Sequence, residues 1–590
     1  MKHRLFLYSS LLVAMLGVGG CGGGGGGGGS GGGGGPGPSV TATNPVNTAN
    51  GAALTQSIVA VFSQALNATT VNDGSFTLTG PGGPVNGAVA LVDNAVHFTP
   101  SAALAFNTDY TARLTTAIQD TAGNSLAADY VWRFNTGKKI AAGEVHTCAR
   151  LDDGRVKCWG RNNSGQLGLG DMINRGDGLN AMGETEMGNN LPPVDLGNGR
   201  TALQLVAGSF HTCARLDNGA VKCWGWNNFA QLGLGDTDAR GDGLNATGQS
   251  EMGNNLPPVD LGNGRTALQL VAGNVHTCAR LDNGVVKCWG WNNFGQLGLG
   301  IAGALRGDSA NDNEMGDNLP PVDMGNGRTA VELVAGLLHN CARLDNGAVK
   351  CWGLNESGQL GLGDMINRGD GPDEMGDTLP PVDLGSSRTA VEIVAGSAHT
   401  CARLDNGRVK CWGLNSAGQL GLGDMINRGD GLNAMGEAEM GDNLLPVDLG
   451  SAGFFGSLTV LQLAAGGRQT CARLAEPLVA GPALLKCWGG NNFGQLGLGD
   501  MINRGDGLNA TGETEMGDNL LPVDLGQDFF GNAPALDVSV SMNGTHTCGQ
   551  LRDGAVKCWG FNNSGQLGLG DTDNRGDGLN AIGEAVDLGS

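Results

Sequence analysis

The chain has 590 residues, 107 of them Gly, and 35 Lys and Arg against 57 Asp and Glu give a formal net charge of −22. Charged residues make up 16% and apolar residues 40%, which excludes wholesale disorder, and Gly this frequent without a Gly-X-Y period excludes collagen. The acidic excess, with no Lys/Arg-rich run to offset it, repels phosphate backbones, so no nucleic acid is expected as a partner.

Residues 1–20 read as an export signal: Lys2 and Arg4 give a positive start, Leu5 to Leu16 an apolar stretch too short to span a bilayer, and small residues follow. Val18-Gly19-Gly20-Cys21 resembles the lipobox of bacterial lipoproteins, which implies cleavage before Cys21 and lipidation of that cysteine. More than one acyl chain gives firm anchoring. Residues 21–37 are this cysteine and an almost pure Gly tether, which buries nothing and reaches ~20–25 Å as a random coil. The expected location is therefore outside the cytosol, lipid-anchored to a bacterial membrane at the cell surface or in the periplasm, where cysteines oxidise.

Residues 38–137 contain no cysteine and carry short alternating runs at 57–62, 75–78, 88–91, 95–98, 110–114 and 130–134. Turn residues separate them, with Val92-Asp93-Asn94 placed as a hairpin loop. About seven short strands in a hundred residues predict a β-sandwich. Asn44-Pro45, Phe98-Thr-Pro100, Asp120-Thr-Ala-Gly-Asn124 and Trp132-Arg-Phe-Asn-Thr136 occur in an order that resembles bacterial Ig-like domains of the S-layer (SbsA) type. That resemblance implies a spacer or stalk.

From 138 to 590 one unit recurs seven times, with first cysteines at 148, 213, 278, 341, 401, 471 and 548. Each copy shows strand alternation and turn glycines rather than a helical period, so sheet blades are expected, and seven close comfortably into a ring. Ala-Gly-x-x-His, Asn-Gly-x-Val, Cys-Trp-Gly and Gly-Gln-Leu-Gly, recurring in order, resemble the regulator of chromosome condensation repeat, which implies a seven-bladed β-propeller. The units depart from that family by two extra cysteines each and a loop of about 25–30 residues, as in 170–192. The expected fold is all-β: an Ig-like sandwich followed by a disulfide-braced propeller. The chain opens its blades at Lys138 without a preceding Val-Asp-Leu-Gly and ends on Val586-Asp-Leu-Gly589, so this last segment is expected to pair beside the first unit and latch the ring.

Within a copy, Asp217-Asn218-Gly219 suits a three-residue hairpin loop, whose register sets Leu216 opposite Ala220 and Cys213 opposite Cys223. The same register pairs Cys148 with Cys158, Cys278 with Cys288, Cys341 with Cys351, Cys401 with Cys411 and Cys548 with Cys558. Copy six lengthens the turn by six residues, an even number that keeps Cys471 and Cys487 on one face. Zinc is disfavoured, because nine intervening residues do not match thiolate knuckles.

The repeated His-Thr-Cys histidines are read as structural, since copy six carries Gln469 there and keeps both cysteines. Every long loop contains Arg-Gly-Asp, a tripeptide read by animal integrins, but seven copies in one repeated loop point to shared loop structure. Oxygen-rich residues in the first and last loops, Asp171, Asn174 and Asp177 with Asp571, Asp573 and Asp577, are the candidate calcium ligands. The spacing is not that of an EF-hand and acidic loops are usually only solvated, so no cofactor is the main expectation. Departures from the repeat point to a partner patch: Phe454, Phe455, Phe529 and Phe530 in copies five and six, and Trp226 and Trp291 in copies two and three.

No nucleophile, base and acid stand together outside the symmetric positions, so catalysis is disfavoured. The expected function is a membrane-anchored binding or scaffold lipoprotein whose propeller loops face a protein or glycan at the cell surface. The alternatives are an enzyme acting on extracellular polysaccharide and, by fold analogy alone, guanine-nucleotide exchange.

Overall fold

The computed structural model describes residues 37–589 apart from 46–56, 81–82, 93, 102–103, 105–108, 136–139, 152, 181, 246–247, 304, 310–313, 433–435, 452–457, 476–482, 510–511, 529–530, 533–534, 552–553 and 579. Cys21, the export signal, Phe454, Phe455, Phe529 and Phe530 lie outside the described residues.

Eight strands precede the repeats: β1 (Val40–Asn44), β2 (Ile58–Phe62), β3 (Phe76–Gly80), β4 (Gly83–Pro84), β5 (Gly87–Val92), β6 (Ala95–Pro100), β7 (Asp109–Leu114) and β8 (Tyr130–Asn135). They form two four-stranded sheets, ordered β1-β2-β6-β5 and β4-β3-β7-β8. The alternation read from sequence is the cause: Ile58, Ala60 and Phe62 face inward from β2 and meet Phe76, Leu78, Phe98, Trp132 and Phe134 in one core. The hairpin between β5 and β6 closes at Val92 opposite Ala95, as the turn residues predict. The two strands missed from sequence, β1 and β4, bury little alternating apolar surface that could have marked them.

Seven three-stranded antiparallel sheets follow, at residues 140–160, 202–225, 267–290, 330–353, 390–413, 459–489 and 535–560, here called blades one to seven. In blade two an inner strand (Ala202–Ala207) pairs with a middle strand (His211–Leu216), which pairs with an outer strand (Val221–Gly225). The register is the predicted one: Leu216 N–H donates to Ala220 O, Gly219 adopts φ +78 as the third loop residue, and Cys213 faces Cys223. All seven cysteine pairs are bridged within their own blade, including Cys471–Cys487 across the longer turn, with Cα atoms 4.1 Å apart. The sulfurs sit inside apolar inter-blade clusters, each cysteine at most 1% exposed.

Blades join through one repeated carbonyl. Gln166 O accepts from Thr212 Oγ1 at 3.0 Å and from Trp224 Nε1 at 3.1 Å, both in the next blade. Trp224 is fully buried, so its indole N–H requires such a partner. Gly165, in the turn that offers this carbonyl, has φ +73, and a Cβ there would lie 2.4 Å from Asp242 N in the following loop. Only glycine fits both demands.

The closing segment latches blade seven to blade one, but its backbone pairing differs from the one expected from sequence. The Val586 N–H donates to Val556 O of blade seven at 2.7 Å, so its backbone pairs with the last blade, while its side chain shares a buried cluster with Ile140, Ala149 and Trp159 of blade one. The following carbonyls also reach blade one: Asp587 O accepts from Gly188 N–H at 2.9 Å and Leu588 O from Lys157 Nζ at 2.7 Å. Val194-Asp195-Leu196 does the same between blades one and two, with Val194 N–H on Val156 O, Asp195 O on Gly253 N–H and Leu196 O on Lys222 Nζ. The end of the chain therefore repeats an ordinary inter-blade staple at the ring's seam.

Candidate functional site

One end of the ring is fixed by histidine. His211 Nε2 lies 3.0 Å from Thr277 Oγ1 of blade three, and His146, His339, His399 and His546 each meet a Thr of the following blade in the same way. His276 meets Asn340, and Gln469 donates its amide to Thr547. Because each of these Thr hydroxyls already donates to a Gln carbonyl, it accepts from histidine, which fixes the Nε2–H tautomer. The imidazole is thus a donor and not a base, although His and Thr side by side resemble a nucleophile pair. Burial pushes His146, His211, His339 and His546 down to about 3 and His276 and His399 to about 4. Their Nδ1 atoms are buried without a partner, so a second proton would have no acceptor.

On the surface at this end, sequence departures become one feature. Phe210, Trp226, Phe229, Trp291 and Phe294 form a continuous chain of rings across blades two and three, with centroid steps of 5.8, 5.3, 5.7 and 5.4 Å. All five are half-buried, and the Arg161 guanidinium sits 5.9 Å from the Phe210 centroid at the chain's end. Asn228 and Asn293 stand exposed beside the rings. Blades four and five place Leu354, Ser357, Leu414 and Ala417 at the same repeat positions. The candidate Trp226 and Trp291 are thus brought together, bridged by Phe229; Phe210 was not singled out in the sequence because its neighbours are 16 or more residues away.

The Arg-Gly-Asp loops turn inward. Arg175 pairs with Asp171 four residues earlier at 2.6 Å, donates to the carbonyls of Ile173 and Asn174, and joins Gly160 through its backbone. Six of the seven loops repeat that Asp–Arg pair; in blade three, where Ile301 replaces the Asp, Arg306 turns to Glu314 at 3.6 Å. This commits two of the candidate cation ligands: Asp171 and Asp571 spend one oxygen on Arg175 and Arg575 and the other on backbone N–H groups. Asn174 Oδ1 caps Asn162 N–H and Asn174 Nδ2 donates to Asp177, while Asp577 accepts from Asn580 N–H. Asp573 contributes its carbonyl to Arg575. Asp177 faces Glu186, whose carboxyl is held above the usual range by burial and by the Asp177 charge. Among the described residues, no group of three or more His, Cys, Asp or Glu side chains is arranged to hold a metal ion.

Residues 36–136 match the bacterial Ig-like domain family. Regulator of chromosome condensation (RCC1) repeats match at 138–166, 203–231, 268–296, 330–359, 390–419 and 538–566, and longer repeat units at 153–215, 346–403 and 406–473. The chain is 28% identical over 442 residues to the ultraviolet-B receptor UVR8 of Arabidopsis thaliana, covering 74% of this chain and 79% of that protein. It is 28% identical over 281 residues to the probable E3 ubiquitin-protein ligase HERC4 of Rattus norvegicus, covering 48% of this chain and only 23% of that protein. Among solved structures, yeast RCC1 (Prp20) bound to Kap60 aligns with 17% identity over 76% of this chain and 85% of that one, at a TM-score of 0.48. The chain is therefore a bacterial Ig-like domain followed by a propeller of regulator of chromosome condensation repeats.

Proposed function

We propose that this protein is an exported, lipid-anchored binding or scaffold protein, in which the tether and Ig-like domain hold the propeller away from the membrane and one arc of the ring captures a protein or glycan. The observation that carries this reading is the five-ring aromatic chain Phe210–Trp226–Phe229–Trp291–Phe294 across blades two and three, where blades six and seven carry only the single pair Phe493 and Phe561 at the same repeat positions. Trp is enriched in binding hot spots, and aromatic residues including Phe are enriched at protein interfaces. Lipidation at Cys21 supplies the anchor in this reading, consistent with its position after Val18-Gly19-Gly20.

The test is a double variant, Trp226→Ala with Trp291→Ala, compared with the parent in cross-linking on intact cells and on a glycan array. Loss of the captured partner, with the melting temperature preserved, supports the reading. Unchanged capture removes the aromatic arc as the site. Cys21→Ser separately tests the anchor, by release of the protein from the membrane fraction.

A further inference from the structure

The aromatic arc contains one unit built twice. Trp226 and Phe229 meet edge to face at 5.3 Å and 85°, and Trp291 and Phe294 repeat the pair one blade on at 5.4 Å and 87°. Each pair comes from the same sequence, Trp-Asn-Asn-Phe, at 226–229 and 291–294. Phe229 joins the two units through Trp291 at 5.7 Å. Asn228 and Asn293 hold the same place in each unit and are exposed. Of the chain's ten tryptophans, eight are at most 1% exposed, and Trp226 and Trp291 alone open to solvent. A chain that buries every other indole and leaves these two half-open side by side points to a surface that a partner covers.

The backbone departs from the repeat at the same junction. Ala230, next after Phe229, is fully buried at φ +60, where the other six blades have glycine. An alanine in that region is strained, and such strain persists only where the surroundings hold it. Blade three's loop opens with Ile301, 43% exposed, where six loops have Asp. The Ile301 carbonyl accepts from Asn292 Nδ2, directly beside Trp291. In blade one the equivalent Asn162 donates to both the carbonyl and the carboxylate of Asp171. The second indole therefore gains an aliphatic neighbour and loses a carboxylate. The polar side chains within the two units are uncharged carboxamides, Asn227, Asn228, Asn292 and Asn293.

We propose that the arc binds a neutral glycan chain of β-1,4-linked pyranoses, with sugar rings on Trp226 and Trp291 and hydroxyls on Asn228 and Asn293. The inference rests on the binding reading above and selects its ligand class. The face of an indole is the negative lobe of its quadrupole, and the axial C–H groups of such a pyranose present partial positive charge on its flat faces. A carboxamide offers neighbouring hydroxyls both donors and an acceptor, with no charge to desolvate. A unit repeated along a row suits a polymer that repeats, because a second sugar of the same chain binds as an intramolecular event.

Blades four and five supply the control, since they carry Leu354 and Leu414 where the indoles stand. Trp226→Leu and Trp291→Leu, made singly, and Asn228→Ala with Asn293→Ala are compared with the parent as full chains. The probes are β-1,4 oligomers of glucose and of N-acetylglucosamine, from dimer to hexamer. Binding is read by calorimetry and by protection of tryptophan fluorescence from acrylamide, to which Trp226 and Trp291 alone are open. The parent should bind at least one series saturably, with affinity rising about tenfold or more from dimer to hexamer. Each Leu variant should lose that rise at an unchanged melting temperature, and the Asn pair should weaken the hexamer about tenfold. Saturable binding by neither series overturns the proposal, and so does binding that every variant retains. If the double Ala variant loses its partner on cells while no oligomer binds the parent, the arc is a protein site: the glycan inference falls and the binding reading stands. Should a Leu variant fail to fold, the Asn pair and the acrylamide protection of the parent decide.

Discussion

His546 Nε2 lies 2.9 Å from Thr147 Oγ1, 399 residues earlier in the chain, and this pair has the geometry of the His–Thr pairs inside the ring. The seam between blades seven and one is therefore bonded like an ordinary blade contact. Trp159 Nε1 on Gln566 O at 3.0 Å and Lys157 Nζ on Leu588 O at 2.7 Å repeat the other two inter-blade bonds across it.

Removal of 585–590 should weaken the whole propeller, because the seam loses the bonds from Val586, Asp587 and Leu588 and the burial of Val586. The expected loss is about 2–4 kcal/mol. Calorimetry of the truncated chain checks this, and an unchanged propeller transition would show that the last staple contributes nothing.

Acid should destabilise the ring through its six histidines. Each has a folded pKa near 3 or 4 against 6.5 unfolded, so below about pH 6.5 the unfolded chain binds protons that the folded chain does not. Stability is then full above pH 6.5 and falls toward pH 4, by at most about 1.4 kcal/mol per pH unit for each histidine. His211→Gln should remain folded, since Gln469 fills the same place in blade six and donates to Thr547, and should lower the proton uptake on unfolding by one. Denaturation at a series of pH values reads this directly; an equal slope in parent and variant would contradict the account.

Arg175→Lys should destabilise blade one's loop. An ammonium group cannot reproduce the guanidinium's reach to Asp171 and to the carbonyls of Ile173 and Asn174 together, and a loss of about 1 kcal/mol is expected. The Arg175 side chain is only 16% exposed, so adhesion of animal cells to the protein should not be blocked by a soluble Arg-Gly-Asp peptide. Denaturant titration and a cell-adhesion assay check the two halves.

What could be read from sequence was what the chain fixes locally. Asp217-Asn218-Gly219 sets a hairpin, the hairpin sets a register, and the register brings Cys213 opposite Cys223. The even lengthening in blade six kept that logic intact for Cys471 and Cys487. Contacts between blades were hidden, because His211 and Thr277 are 66 residues apart and nothing near either names its partner. The last Val-Asp-Leu latches the first unit as read from sequence, but not by pairing beside it: the Val586 N–H pairs with Val556 of blade seven, while the Val586 side chain and the carbonyls of Asp587 and Leu588 cross the seam to blade one. Asp171 read as an oxygen ligand, although its partner was the arginine of the loop's own tripeptide four residues on.

Peptide mapping of the unreduced full chain tests the central claim most directly, that each blade is closed by its own bridge inside a continuous ring. The account predicts seven linkages, from Cys148–Cys158 to Cys548–Cys558, each joining strands of one blade. Free thiols at these positions, or linkages between blades, would contradict it.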